Sequence, residues 1–197
     1  MNRSLSIVIA DDEPRMREFF CKTLERLGHQ VVAEAASGHD LIVACRENVP
    51  DLVITDIQMP DMDGIDAAAA LATDQAIPII LVSAFHDAQF IERARQNHIL
   101  AYLIKPITDT DLQPAIAIAM SRFQEFQTLR RETSDLKQAL EDRKLIERAK
   151  GILMKQTGLE EPEAFRRLQK ISSSKSVKLV EIARTIVTAD EAMRNPN

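Results

Sequence analysis

The stretch Leu5–Pro14 reads LSIVIADDEP, a run that is apolar except for Ser6 and then turns into two aspartates, a glutamate and a proline. A nearly continuous apolar run of this length is typical of a strand buried on both faces of a parallel sheet. Four more runs of this kind follow along the chain, at Val31–Ala35, Leu52–Thr55, Pro78–Val82 and Ala101–Ile104. The sequence therefore predicts five buried strands, the first over Leu5–Ala10.

Amphipathic segments separate these runs. Pro14–Leu27 carries apolar residues at three- and four-residue spacing and is followed by Gly28, a common helix terminator. Residues 40–48, 65–73 and 87–97 show the same helical pattern. Alternation of strands and helices along the chain predicts an α/β fold, a doubly wound five-stranded parallel sheet with right-handed crossovers.

Composition narrows the class of protein. The chain has 197 residues, of which 45% are hydrophobic and 28% are charged, which is typical of a globular protein and excludes a disordered or fibrous chain. Its length predicts one domain with an appendage. Aromatic residues make up only 4%, with no Trp, which argues against a nucleic-acid surface built on stacked rings.

The cysteines and the first apolar run indicate a compartment. Cys21 and Cys45 lie in apolar helical patterns, without a CxxC motif or a nearby histidine pair, and we interpret them as core thiols in a reducing environment. Leu5–Ala10 is too short for a signal sequence or a membrane span. We therefore expect a soluble, cytoplasmic protein with no membrane partner.

Polar residues follow four of the predicted strands at their carboxyl ends. Asp11 and Asp12 follow the first strand, Asp56 the third, Ser83 the fourth and Lys105 the fifth. In a doubly wound sheet these ends meet at one crevice. Three carboxylates placed together repel one another unless a cation neutralises them, and oxygen ligands with no histidine or cysteine nearby favour Mg²⁺.

The same residues can carry phosphoryl chemistry. Lys105 offers a positive charge and Ser83 a hydroxyl donor, and a carboxylate beside them can attack phosphorus and hold the resulting aspartyl phosphate. Taken singly, each feature has a simpler interpretation: Asp11-Asp12 as a turn with a helix cap, Asp56 as a loop cap, and Lys105-Pro106 as a turn. Their joint placement at four strand ends favours the phosphoryl site.

Several short motifs of the first half together resemble the receiver domain of two-component response regulators. They are Asp11-Asp12, Asp56-Ile57-Gln58-Met59-Pro60 with Gly64, Ser83-Ala84, and Tyr102-Leu103-Ile104-Lys105-Pro106. The resemblance covers residues 5 to about 122 and implies a flavodoxin-like receiver domain over residues 1–122.

This resemblance implies a role for each of these residues. Asp56 would accept phosphate from a histidine kinase. A Mg²⁺ ion would be arranged by Asp11, Asp12, Asp56 and the backbone carbonyl of Gln58. Ser83 would move to bond the phosphoryl group, Tyr102 would rotate inward behind it, and Lys105 would pair with the acyl phosphate. The peptide bond before Pro106 is expected to be cis.

After the last strand the pattern becomes helical from Asp111 to about Gln156, with Thr108-Asp109 as the expected cap. Five residues within it step by three and four, as in a coiled-coil seam: Phe126, Leu129, Thr133, Leu136 and Leu140. Two arrangements fit this seam, packing against the chain's own first domain or pairing with a second copy. A homodimer is favoured, because so long a helix cannot bury its stripe on one small domain, and we expect a coiled-coil linker over residues 116–145.

The rest of the chain predicts a small bundle of three helices, about 137–157, 160–171 and 177–192, punctuated by Gly158 and by Ser172–Ser176. We expect the core to be formed by residues at helical spacing: Ile146, Ala149, Leu153, Gln156, Phe165, Leu168, Ile171, Leu179, Ile182, Ala183, Ile186 and Val187. Gly151 in mid-helix predicts a close approach by another helix.

The charge pattern separates this tail from the rest. Residues 137–197 hold 13 basic and 9 acidic residues, whereas residues 1–125 hold 10 and 19, within a net charge of −5. Basic residues, Lys150 among them, are expected on the outer faces of the bundle. Such a surface suits a polyanionic partner, although a charged face is often simply solvated.

The stretch Ala149–Met154, with Glu163-Ala164-Phe165, resembles the ANTAR domain, an RNA-binding antitermination module, over about residues 136–190. The resemblance implies a three-helix domain over residues 136–192 that binds hairpin loops of leader RNA, so that transcription reads through a terminator. Candidate RNA contacts are Arg143, Arg148, Lys150, Arg166, Arg167 and Lys175. At Ser173–Ser176 the chain departs from the family, which more often has Met and Asn before Lys-Leu.

Together the two resemblances predict a response regulator that is not an enzyme, in which phosphorylation of Asp56 controls dimerisation, RNA binding and antitermination. Three alternatives stay open: a DNA-binding response regulator, a receiver with a protein-interaction output, and an aspartyl-phosphate phosphatase of the haloacid dehalogenase type. The first would need a recognition helix, which Ala149–Met154 does not resemble. The last would need a second aspartate two residues after its nucleophile, where this chain has Gln58.

Overall fold

The computed structural model describes residues 3–74, 76–84 and 99–194. The chain divides into two compact units, Met1–Gln127 and Thr128–Asn197. The helix predicted at residues 87–97 lies outside the described residues.

The first unit is built on a parallel sheet of five strands in the order β2-β1-β3-β4-β5. The strands are β1 (Ser6–Ala10), β2 (Gln30–Ala35), β3 (Leu52–Asp56), β4 (Ile79–Ser83) and β5 (Ile99–Ile104). The inner strands β3 and β4 are buried at every position, and β1 at all but its first. Because side chains on both faces are buried, these strands have continuous apolar sequences rather than alternating ones. The predicted five-stranded parallel sheet is confirmed.

Three helices of this unit connect the first four strands. They are α1 (Pro14–Arg26), α2 (Gly38–Asn48) and α3 (Gly64–Asp74). Pro14 stands in the first turn of α1, where its missing N–H costs nothing, and Gly28 follows the helix with a φ of 84°. Each of the three lies within two residues of its predicted bounds.

A single helix, α4 (Asp109–Thr157), covers 49 residues after the last strand and confirms the long helix predicted there. Thr108 precedes it and bonds the first turn: its hydroxyl and its N–H both donate to Asp111 Oδ2, at 2.6 and 2.8 Å, and Asp111 N–H donates to the Thr108 carbonyl at 3.1 Å. Among the described residues, no helix combines the length and the apolar character that crossing a bilayer requires.

The sheet has a hydrophobic core on each face. On one face, Val8 and Val53 pack with residues of α2 and α3 such as Leu41. On the other face, strand residues such as Ile54 pack with α1 and with the first turns of α4, through Leu112 and other buried side chains. The carboxyl ends of the strands are therefore held in fixed register by helices on both sides.

In the second unit the end of α4 packs with α5 (Glu161–Lys175) and α6 (Leu179–Arg194). The buried core of this bundle consists of Ala149, Ile152, Leu168, Ile182, Ala183 and Val187. The predicted three-helix bundle is confirmed, with Ile152 as a core residue that the sequence pattern did not indicate.

The end of α5 differs from the prediction. The helix passes through Ser172 and ends at Lys175 rather than at residue 171. Ser172 Oγ donates to the carbonyl of Val177 at 2.6 Å, and Ser176 closes the helix in the left-handed conformation with a φ of 53°. Ser174 Oγ likewise donates to the carbonyl of Ile171 at 3.0 Å, so these hydroxyls are bonded within the chain although serine is generally unfavourable inside a helix.

Three expectations for the bundle core are wrong. A Cβ on Gly151 would meet nothing within 4 Å, so no helix approaches closely there. Gln156 is exposed. Phe165 is 37% exposed, because the neighbouring Ala164 and Leu168 are the buried residues of this face.

Candidate functional site

Three carboxylates meet at the carboxyl edge of the sheet. Asp11 and Asp12 follow β1, and Asp56 is the last residue of the neighbouring strand β3. One carboxylate oxygen from each residue lies within 4.8 Å of the other two. Asp11 is fully buried and Asp56 is 6% exposed, whereas Asp12 faces solvent. The parallel arrangement thus brings together acids that are 45 residues apart in the sequence.

Lys105 joins the two buried carboxylates. Its Nζ lies 3.0 Å from Asp11 Oδ2 and 2.5 Å from Asp56 Oδ2. Burial raises the pKa of Asp11, and the hydrogen bond from Lys105 offsets part of that rise. Burial lowers the pKa of Lys105, but the hydrogen bonds to Asp56 and Asp11 outweigh it and hold that pKa above its ordinary value. The ammonium group therefore stays charged between its two partners.

Backbone amides orient both buried carboxylates. Glu13 N–H donates to Asp11 Oδ1 at 2.9 Å, and Gln58 N–H donates to Asp56 Oδ1 at 3.2 Å. In each case Oδ2 is the oxygen that accepts from Lys105. Each carboxylate is thus fixed by one amide and one ammonium, and hydrogen bonds to ionised groups are among the stronger ones in proteins.

Arg17 supports the site and was missed by the sequence reasoning. Its Nη1 donates to the carbonyl of Asp11 at 2.8 Å and to that of Asp12 at 3.3 Å. Its Nε lies 3.6 Å from Glu34 Oε2 at the end of β2. Arg17 therefore holds the turn between β1 and α1 that carries the acidic pair. The sequence signal that could have indicated this role is the position of Arg17 in the first turns of α1, five residues after the acidic pair.

Gly64 leaves space for the carbonyl of Asp56. A Cβ on Gly64 would lie 2.0 Å from that carbonyl oxygen and 3.0 Å from Thr55 Oγ1. The same carbonyl accepts a hydrogen bond from Thr55 Oγ1 at 2.9 Å, and Gly64 N–H donates to the carbonyl of Ile57 at 2.8 Å. The backbone packing of α3 against the end of β3 thus requires glycine at this position.

Ser83 and Tyr102 lie on the two strands beyond β3. Ser83 is the last residue of β4 and is 1% exposed, and its carbonyl accepts from Lys105 N–H at 2.8 Å. Tyr102 on β5 pairs in register with Leu81 and is half-buried against the core that includes α2 and α3. The peptide bond between Lys105 and Pro106 is cis, as expected.

This arrangement can receive a phosphoryl group. Asp56 offers a carboxylate that is held in one orientation, and Lys105 supplies positive charge next to the oxygen that would attack. The acidic cluster of Asp11, Asp12 and Asp56 is typical of Mg²⁺ binding, since this ion prefers carboxylate oxygens and retains several waters.

The candidate RNA contacts of the second unit divide into two groups. Arg143, Arg166, Arg167 and Lys175 are exposed, and within the described residues none of them has an ion-pair partner. Arg148 is also exposed, but its Nη2 lies 2.8 Å from Glu191 Oε1, which partly neutralises it. Exposed cations without partners are the ones free to contact phosphates.

Lys150 differs from the other candidates. It is only 8% exposed, so its predicted location on an outer face is wrong. Its Nζ lies 2.5 Å from Glu147 Oε2 and 2.7 Å from Glu161 Oε1. These hydrogen bonds raise the pKa of Lys150. Because Glu161 belongs to α5, Lys150 connects the first two helices of the bundle.

Comparison with known families gives two matches along the chain. Residues 7–117 match the family model described as the response regulator receiver domain, and residues 134–187 match the ANTAR domain. The transcriptional regulatory protein PdtaR of Mycobacterium tuberculosis is 39% identical over 181 residues, which cover 92% of this chain and 88% of that protein.

Similar solved structures include receiver domain proteins. A response regulator receiver domain protein from Clostridium thermocellum is 28% identical, with a TM-score of 0.56, over 61% of this chain and 98% of that one. A receiver domain protein from Methanospirillum hungatei has a TM-score of 0.58 at 21% identity, over 62% of this chain and 98% of that one, and shows likeness of fold alone.

Proposed function

The chain belongs to the two-component response regulators with an ANTAR output domain, and from this we propose that phosphorylation of Asp56 controls dimerisation and the binding of hairpin-loop leader RNA, giving transcription antitermination. A receiver domain implies a phosphodonor kinase as a partner, and an ANTAR domain implies an RNA ligand. The family is one of regulators and has no catalytic output domain.

The proposal that Asp56 is the phosphoacceptor rests chiefly on one observation. Lys105 Nζ bonds both Asp11 and Asp56, so the carboxylate of Asp56 lies where both acidic neighbours and a positive charge converge. A histidine kinase would donate the phosphoryl group. Attack by an Asp56 oxygen on phosphorus would form the acyl phosphate as the bond from phosphorus to the imidazole nitrogen of the kinase's phosphohistidine breaks and the imidazole leaves. Lys105 can pair with the added negative charge.

The carboxylate oxygens of Asp11, Asp12 and Asp56, together with the backbone carbonyl of Gln58, would hold Mg²⁺. The ligand set suits this ion because it consists of oxygens, three of them within 4.8 Å of one another. When bound, Mg²⁺ would neutralise charge on the phosphoryl oxygens. Asp12 is the exposed carboxylate of the set, whereas Asp11 and Asp56 are buried.

Ser83 and Tyr102 are proposed to act as the switch. Ser83 ends the strand next to β3, and its carbonyl is bonded to Lys105, so the two residues that would contact the phosphoryl group are linked through the backbone. Tyr102 is half-buried on the following strand, where an inward rotation would repack the core beside it. A change at Asp56 would then bias the packing of this side of the sheet.

The output step would use the basic surface of the bundle. Arg143, Arg166, Arg167 and Lys175 are the proposed phosphate contacts, since all four are exposed and have no ion-pair partner among the described residues. Lys150 and Arg148 remain candidates, but both would first have to leave glutamate partners.

The main test measures affinity for a leader RNA hairpin and molecular mass, before and after phosphorylation with acetyl phosphate. We expect phosphorylation to raise both for the wild type but neither for Asp56→Asn. Asp61→Asn is the matched control, because it makes the same change at an exposed residue of the following loop. Equal affinity and mass in all states would reject the coupling, and tighter binding of duplex DNA than of RNA would favour a DNA-binding output.

A second test addresses the RNA contacts. Removing two phosphate contacts with Arg166→Ala and Arg167→Ala should reduce the slope of log affinity against log salt by about 1.4, since each contact to single-stranded RNA contributes about 0.7. Arg15→Ala, which removes an exposed arginine of the first unit, is the control and should leave the slope unchanged. An unchanged slope in the double variant would exclude this face of α5 as a phosphate contact.

A further inference from the structure

A ring of hydrogen bonds closes the turn between β1 and α1, and Arg17 belongs to it twice. Its Nη1 donates to the carbonyls of Asp11 and Asp12, at 2.8 and 3.3 Å. Its N–H donates to the carbonyl of Glu13 at 3.2 Å, and Glu13 N–H donates to Asp11 Oδ1 at 2.9 Å. A shift of either aspartate would therefore strain or break at least one of these bonds.

The same guanidinium connects the turn to the end of β2. Arg17 Nε lies 3.6 Å from Glu34 Oε2, and the side chain of Arg17 is 19% exposed. Beside it, Asp11 N–H donates to the carbonyl of Ala35 at 3.2 Å. Only a planar group with donors in fixed positions can contact two carbonyls and a carboxylate at once, so lysine could not replace all of these contacts.

Arg17 affects a cation at the acidic cluster in two ways of opposite sign. Its positive charge opposes the binding of a cation, whereas its bonds hold two of the carboxylate-bearing residues in place. The charge effect is weakened, because Glu34 carries the opposite charge 3.6 Å away and solvent screens a partly exposed group. The bonds to Asp11 and Asp12 are direct, so the effect on position is the larger one.

The position of the carboxylates matters more for Mg²⁺ than for larger cations. Mg²⁺ requires a nearly ideal octahedron with ligands at about 2.0–2.1 Å, whereas Ca²⁺ accepts roughly six to eight oxygens at about 2.3–2.6 Å in flexible geometry. Asp11 and Asp12 supply two of the three carboxylates of the cluster. Loosening the turn that carries them therefore weakens Mg²⁺ binding more than Ca²⁺ binding.

We propose that Arg17 is a positioning residue that holds Asp11 and Asp12 in the geometry that Mg²⁺ requires. It thereby sets both the affinity for Mg²⁺ and the preference for Mg²⁺ over Ca²⁺. This inference rests on the Mg²⁺ site in the proposed function and adds a determinant of that site from outside its ligand set. Arg17 acts on the ion only through the two aspartates.

Calorimetric titration of the full, unphosphorylated chain with MgCl₂, and separately with CaCl₂, tests the proposal with the metals alone. Arg17→Lys keeps the charge but loses the planar group, and Arg17→Met loses both. We expect each variant to raise the Mg²⁺ dissociation constant about tenfold, as is common when a residue that orients metal ligands is replaced. The Ca²⁺ constant should rise less, so that the preference for Mg²⁺ falls several-fold.

Two further variants serve as controls. Arg15→Met removes the same charge from an exposed position two residues earlier on α1, and it should raise neither constant. Asp12→Asn removes one carboxylate of the cluster and should abolish most of the Mg²⁺ heat, which assigns that heat to this site. Thermal unfolding without metal shows whether each variant is folded at the titration temperature. If Arg17→Met is not, Arg17→Lys decides alone.

The outcomes that would overturn the proposal can be told apart. Tighter Mg²⁺ binding by Arg17→Met, with Arg17→Lys equal to the wild type, would show that the charge of Arg17 is its larger effect. Unchanged constants in both variants would exclude any role in metal binding, and equal rises for both metals would exclude the role in selectivity. Absence of Mg²⁺ binding by the wild type, or full binding by Asp12→Asn, would instead reject the metal site of the proposed function, and this inference with it.

Discussion

Replacing Gly64 with alanine tests how tightly the end of β3 is packed. The new methyl group would lie 2.0 Å from the carbonyl oxygen of Asp56 and 3.1 Å from its carbonyl carbon. Both obstacles are backbone atoms, so no flexible side chain can rotate away. Either α3 or the Asp56 peptide has to move by more than about 1 Å to restore an ordinary contact distance, which is about 3.5 Å or more between heavy atoms.

The cost follows from the overpacking of a close-packed interior. Insertion of a methyl group that cannot be accommodated by rotamer changes costs about 1–3 kcal/mol. For a unit of this size, that corresponds to a melting temperature lower by roughly 4–12 °C. The displaced peptide also carries the phosphoacceptor candidate, so we expect phosphorylation to slow by more than the loss of folded protein explains.

Thermal unfolding followed by circular dichroism measures the change in melting temperature. The rate of phosphorylation by acetyl phosphate, with excess Mg²⁺ and at a temperature where the variant is folded, measures the effect on the phosphoacceptor candidate. Gly151→Ala is the control: a Cβ there meets nothing within 4 Å, so this change, made in the second unit, should lower neither the melting temperature nor the phosphorylation rate. A Gly64→Ala protein that melts with the wild type and is phosphorylated at the wild-type rate would refute the packing argument.

Three further predictions concern residues outside this loop. Gly151→Ala should stabilise the second unit by about 0.5–1 kcal/mol in urea unfolding, because alanine has the higher helix propensity and the site is open; destabilisation would mean a hidden contact. Burial raises the pKa of Cys45 from 9.0 to about 12, so at pH 8 its reaction with a disulfide reagent should be roughly a thousandfold slower than in the unfolded chain. Because Cys45 holds its proton more tightly in the folded protein than in the unfolded chain, its contribution to stability is complete below pH 9 and falls as the pH rises from 9 to about 12. Measuring the free energy of unfolding against pH for the wild type and for Cys45→Ala checks the sign. Lys150→Met should lower the melting temperature of the bundle by leaving Glu161 without its partner on α4, while Lys155→Met, at an exposed position one turn later, should not; equal melting temperatures would exclude the connecting role.

The strands and the site could be predicted because burial and topology leave few choices. The inner strands are buried on both faces, so they have continuous apolar sequences such as Leu52–Thr55, which can be recognised without an alternating pattern of apolar and polar residues. Once the strands are parallel, the residues after them must share one edge, and Asp11, Asp56 and Lys105 are in contact for that reason.

The errors lie where packing between helices decides. Lys150 follows the spacing of an outward-facing residue, but α5 covers it and supplies Glu161, and nothing in the sequence of α4 indicates where α5 will lie. Phe165 and Ala164 are adjacent, and which of them faces the core depends on the rotation of α5 rather than on hydrophobicity. Arg17 was missed because its partners are backbone carbonyls, which have no sequence signature.

The hydrogen bond between Lys105 and Asp11 joins residues 94 positions apart. A nascent chain that has left the ribosome only as far as β4 therefore lacks the lysine and cannot form the acidic pocket in its final state, however well its first strands pair. Contacts of such long range form late and slowly during folding. If Asp56 accepts phosphate as proposed, chains that end before β5 would lack Lys105 beside it, so they would be poor acceptors and would draw little phosphate from the kinase.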